Sequence, residues 1–240
     1  MKFAKNLNAL TRSTKTAALC LAFASTGLLT ACGSDSDDLD MVSYEITVTN
    51  LSNNQPLSAL AALLHDGDYK AWSLGTSASS GLEYLAEGGD NSTFISNDAA
   101  MLMDSNSGSA PVGPGASDTL TLTSDSAAVL NITLASMLVN TNDAFTGMTG
   151  LDVSMLTVGD TMKHYLPIYD AGTEANDELA GTIPGPADGG TGYNASRDDV
   201  DYVARHPGVV SKDDGYSSSV LDGSHRFDGP IAKLVVKRLQ

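Results

Sequence analysis

The chain has 240 residues, 42% of them hydrophobic, with 29 acidic and 13 basic side chains and a formal net charge of −16. That balance excludes nucleic acid as a partner, because phosphate neutralisation needs clustered Lys and Arg, and the apolar share excludes a disordered acidic tail. With Cys20 and Cys32 as the two cysteines, neither a disulfide framework nor a thiolate zinc site is available.

Residues 1–31 carry Lys2, Lys5, Arg12 and Lys15 and no acid, followed by an apolar run over 17–24 and by Gly27-Leu28-Leu29. A basic start followed by a short apolar core reads as a secretory signal peptide. Its end, Leu29-Thr30-Ala31-Cys32-Gly33, resembles a bacterial lipobox. Cleavage is therefore expected before Cys32, with acyl chains on that cysteine anchoring the mature protein in a membrane. Gly33 stands where the lipoprotein sorting rule would place a retaining Asp, so the expected destination is the outer membrane. Asp35, Asp37, Asp38 and Asp40 follow in a polar run whose like charges extend it into a tether over 32–40. Removing the leader leaves 13 − 4 = 9 basic against 29 acidic residues, a net charge of −20.

The folded domain is expected over 41–240. Val42, Tyr44, Ile46 and Val48 alternate with Ser43, Glu45, Thr47 and Thr49, the period-2 mark of a half-buried strand. A turn follows over 50–56. Residues 80–87 predict a short helix, with Leu82 and Leu85 three apart and Gly88-Gly89 ending it. Residues 104–117, rich in Gly, Ser, Pro and Ala, predict a loop. Strands are expected over 119–123, 129–139, 151–158, 165–169 and 231–239, and a long loop over 170–201. Short strands between turn-rich loops predict an all-β fold, an antiparallel β-sandwich with one or two short helices.

Catalytic motifs are missing from the sequence. His65, His164, His206 and His225 lack zinc-site spacing, and there is no Gly-x-Ser-x-Gly, P-loop or His-Glu-x-x-His. His206, in Arg205-His206-Pro207-Gly208, reads as a turn residue. Asp and Asn in loops suit Ca²⁺, a hard cation that takes six to eight oxygens. Two segments offer them: Thr141-Asn142-Asp143 leading to Asp152, and residues 170–178. Asp213-Asp214-Gly215 lacks the spacing and closing Glu of an EF-hand.

The segments Asn142-Asp143-Ala144-Phe145-Thr146-Gly147 and Tyr169-Asp170-Ala171-Gly172-Thr173-Glu174 together resemble the spondin domain, the N-terminal module of F-spondin and mindin that also occurs in bacterial secreted proteins. The opening strand 44–50 and the apolar-basic closing strand 231–239 extend the likeness over about residues 42–240. The resemblance implies an antiparallel sandwich related to C2 domains with one Ca²⁺ near one end. The family's two aspartate ligands fall on Asp143 and Asp170. An ungapped placement puts Ser124 at the family's third acid, so Asp118 or Asp125 serves only with a shift, and Glu174 is a further candidate. The aromatic that follows the first aspartate in animal members is Ala144 here, and their disulfides are missing. The expected function is a non-enzymatic adhesion module that binds an extracellular protein or glycan. The alternative is a polysaccharide-acting hydrolase using loop carboxylates as acid and base.

Overall fold

A computed structural model describes residues 41–240 apart from 97 and 126–128. The leader, Cys32 and the acidic tether lie outside the described residues. Residues 41–240 belong to one compact unit, and among them no helix is long and apolar enough to cross a membrane.

Among the described residues, ten strands form two antiparallel sheets. Strand β1 (Val42–Asn50) is the alternating segment, and the face that carries Tyr44, Ile46 and Val48 is buried. Strand β2 (Ala61–His65) is followed by helix α1 (Ser80–Gly88), helix α2 (Ser92–Ser96) and β3 (Leu102–Ser107). Next come β4 (Ser117–Ser124), β5 (Asn131–Met137), β6 (Ala144–Asp152), β7 (Thr161–Leu166), β8 (Ile168–Asp170), β9 (Ala204–Arg205) and β10 (Ala232–Arg238). The first sheet runs β4-β1-β10-β7 and the second β3-β2-β5-β6-β8-β9. The expected all-β sandwich is the observed architecture.

The sheets enclose one core, in which Ile46, Val48, Leu234 and Val236 meet Leu64, Ile132 and Leu134. A second core covers the outer face of the six-stranded sheet: Leu63, Ala135 and Phe145 pack under Leu82, Leu85 and Ala86 of α1, with Trp72 and Phe94. Helix α1 starts on Ser79, whose Oγ accepts the Leu82 N–H at 3.2 Å. It stops at Gly89, in the left-handed region at φ 68°, whose N–H reaches the Leu85 carbonyl, the glycine stop that Gly88-Gly89 predicts.

Three local expectations need correction, and one strand, β2, has no counterpart among them. Strand β2 carries no alternating pattern because both of its faces are covered, so it has no period-2 signal. Residues 102–107, four of them within the expected loop, pair with β2 as an edge strand. The expected strand 151–158 ends at Asp152, where Asp152 Oδ1 accepts the Ser154 N–H and hydroxyl. Val153 and Leu156 are buried in a turn instead. Residues 165–169 are two strands, since Pro167 interrupts them. β7 pairs with β10 in one sheet and β8 with β6 in the other.

Candidate functional site

The turn between β5 and β6 is tied by its own side chains. Thr141 Oγ1 donates to the Leu138 carbonyl at 2.6 Å and accepts the Ala144 N–H at 3.1 Å. Residues 140–143 are thereby held buried, and Asp143 stands at the entry to β6. Strand β8 lies alongside with Ala144 opposite Asp170 and Phe145 opposite Tyr169. The two segments that carry the family likeness are therefore neighbours in space.

Most of their residues have a visible structural task. Phe145, Tyr169 and Trp72 form an aromatic cluster with centroids 5.2–5.6 Å apart. Gly147 leaves room for it, because a Cβ there would overlap the Leu134 carbonyl and come within 3.0 Å of the Trp72 ring. Gly172 has φ 71°, and a Cβ would run into the Tyr202 backbone. After that turn, the Thr173 and Glu174 N–H groups both donate to Asp143 Oδ2, at 2.8 and 3.1 Å.

Asp143 is fully buried, and its other oxygen, Oδ1, has no hydrogen-bond partner. Asp170, 5% exposed, accepts the Gly172 N–H on Oδ1 at 2.7 Å and the Asn176 amide on Oδ2 at 2.6 Å. Asn142 Oδ1 and Glu174 Oε2 are likewise buried without partners. Among the described residues, no Lys, Arg or His forms an ion pair with Asp143, Asp170 or Glu174. Burial, reinforced by the Asp170 charge and opposed by the two N–H groups, pushes the Asp143 carboxyl up to about 7. Burial and the charges of Glu87, Asp143, Asp198 and Asp177 push Glu174 up to about 8. Asp170 is raised by burial against its hydrogen bonds.

A polar chain buttresses Asp170 from behind. The Gly208 N–H donates to His206 Nδ1 at 3.0 Å, so the ring proton sits on Nε2, 2.9 Å from Asn176 Oδ1. That orients Asn176 to present its amide to Asp170. Burial lowers the His206 imidazole to about 4. His206 therefore belongs to the site's support and is not a simple turn residue.

The sequence-predicted residues thus divide. Asp143, Asp170 and Glu174 come together, whereas Asp118 lies on β4 of the other sheet, opposite Val48. Its Oδ1 accepts the Thr119 N–H and its Oδ2 is buried beside Gly108; it is not among the charges acting on Asp143. Asp125 is exposed. Among the described residues, no three His, Cys, Asp or Glu side chains stand close enough to hold a metal ion as they are placed. What the arrangement offers is buried carboxylate and amide oxygens in need of a positive partner, the donor chemistry of a hard cation.

Beside the start of β8, a concavity of about 530 Å³ is lined by Tyr165, Ile168, Arg205, Pro207, Phe227 and Pro230, among others. Arg205 lies 4.6 Å over the Tyr169 ring. No family model matches the chain, and no curated protein matches it.

Proposed function

We propose that the chain is a non-enzymatic, Ca²⁺-stabilised binding or adhesion module of the spondin type, held at the outer membrane by a lipidated Cys32. One observation carries the cation: a fully buried aspartate, Asp143, keeps an unpartnered oxygen next to two further buried acids that have no cationic partner. An unpaired buried charge costs several kcal/mol, and a divalent cation offsets that cost. The Asp143, Asp170 and Glu174 carboxylates with the Asn142 amide would hold it, the acids closing up by side-chain rotation. Carbonyls and water would complete the shell. The role of the ion is structural, cross-linking the 138–143 turn to the 170–176 loop.

The family likeness is supported by the pairing of its two segments on adjacent strands, and the anchor by the order of basic, apolar and lipobox residues in the leader. The ligand face we assign is the concavity beside Arg205. Its aromatic, proline and guanidinium surfaces suit a protein or glycan ligand.

Calcium titration of the full-length chain tests the reading. Binding to the folded state alone stabilises by about 2.7 kcal/mol at a hundredfold excess over Kd, which raises the melting temperature by roughly 5–10 °C for a domain of this size. Asp143→Asn and Asp170→Asn should each abolish the rise. A melting temperature indifferent to Ca²⁺, or a rise that survives both substitutions, rejects the cation.

A further inference from the structure

A fourth acid faces the same group from a different element. Glu87 sits in the last turn of α1, is 1% exposed, and has Oε1 buried without a hydrogen-bond partner. Its other oxygen accepts the Asn194 N–H at 2.8 Å, and the Thr173 hydroxyl lies beside it. That hydroxyl is also 3.3 Å from Asp143 Oδ2, so one side chain separates the Glu87 and Asp143 carboxylates. Among the charges acting on Glu174, Glu87 is the largest, ahead of Asp143.

This is an unfavourable place for an acid. The C-terminal end of a helix carries partial negative charge and opposes a carboxylate in its last turn, and burial and the neighbouring acids add to the cost. Glu83, one turn earlier, has Arg197 as a partner at 2.7 Å; Glu87 has no ion-pair partner among the described residues.

We propose that Glu87 is a fourth carboxylate of the same cation site, so that the bound ion ties helix α1 to the β6–β8 pair. The inference rests on the cation reading above and extends it to the packing of α1. The segment after residue 190 is already fastened to both sides of the junction. The Tyr193 ring packs at a tilt against Tyr84 of α1, with centroids 4.3 Å apart, and Arg197 bridges Glu83 and Asp201. The Asp198 N–H donates to the Thr173 carbonyl and the Asp201 N–H to the Gly172 carbonyl, at 3.1 and 2.7 Å. A cation shared by Glu87 and Glu174 would close this assembly from within.

The test measures Ca²⁺ affinity of the full-length chain by calorimetry, with wild type, Glu87→Gln and Glu83→Gln side by side. Losing one charged ligand should weaken binding by about tenfold or more in Glu87→Gln, while its metal-free melting temperature rises because a buried charge has gone. Glu83→Gln, which loosens α1 through Arg197 instead, should keep affinity within about twofold of wild type. Equal affinity of Glu87→Gln and wild type overturns the inference and leaves the Asp143–Asp170 reading intact; equal weakening by both helix variants overturns it too, since α1 packing alone would then explain the loss. If wild type binds no Ca²⁺, the cation reading itself falls. Should Glu87→Gln not fold, hydrogen exchange of wild type decides: Ca²⁺ should slow exchange at the amides of 82–89, and unchanged exchange there overturns the proposal.

Discussion

His206 shows what a single residue can do at a distance. Its ring acts as a spacer with a defined proton position, because the Gly208 N–H occupies Nδ1 and leaves Nε2–H to hold Asn176. A second proton would turn Nδ1 into a donor facing a donor, which is one reason beyond burial to keep the ring neutral. Its folded value near 4 lies below the ordinary 6.5. For a depressed value the contribution to stability is complete above the unfolded value and is lost as pH falls through the folded one. The expected NMR result is an Nε2–H tautomer with no titration between pH 5 and 8; a midpoint near 6.5 would show the ring to be solvated and the chain to Asp170 broken. None of this is legible in Arg205-His206-Pro207-Gly208 as a string, since the partner that gives His206 its task is 30 positions away.

At the scale of elements, the two family-like segments work as a matched pair of strands whose glycines are steric requirements. Gly147→Ala should cost about 3 kcal/mol, at the upper end of overpacking in a filled core, because the added methyl meets a strand carbonyl on one side and Trp72 on another. Gly172→Ala adds left-handed strain of about 1–2 kcal/mol to a backbone collision with Tyr202. Denaturant melts of the two variants check both figures, and a loss under about 1 kcal/mol for Gly147→Ala would mean that the β5–β6 contact is looser than described. Elements of this kind divide sharply in how readable they are. β1 and β10 have one buried and one open face and show it in their alternation. β2 is buried throughout, beneath α1 and α2 on one side and the sandwich core on the other, so no polar residue marks its period. The break at Pro167 is visible as a residue, but the change of sheet it produces depends on partners that no local pattern names. Of the site, Asp143 and Asp170 could be found through the segments around them. Glu87 could not, because a helix acid 56 positions before Asp143 becomes its neighbour only when α1 folds down on the sheet.

For the whole molecule, these carboxylates make stability depend on pH in an unusual direction. A carboxyl whose folded value is raised contributes stability that is complete below its unfolded value and is lost as pH rises through the folded value. Asp143, raised from 3.8 to about 7, and Glu174, raised from 4.5 to about 8, therefore both cost the metal-free chain stability as pH climbs from about 4. His206 works the other way, gaining as pH rises to 6.5, so the terms partly cancel below that point. Surface aspartates with lowered values, such as Asp152 and Asp160, act only near and below pH 4. Between pH 6.5 and 8 the buried acids stand alone, and their combined loss is on the order of 2 kcal/mol at 1.36 kcal/mol per pH unit and proton. In EDTA the melting temperature should fall by roughly 5 °C across that window. Saturating Ca²⁺ should flatten the profile, since the cation keeps the same groups ionised in the folded state and the proton difference between folded and unfolded chain disappears. The check is a pair of melting curves against pH, with chelator and with Ca²⁺. Two parallel curves would mean that the ion does not sit among these carboxylates, whereas curves that converge toward pH 5 and separate toward pH 8 place its action on Asp143 and Glu174.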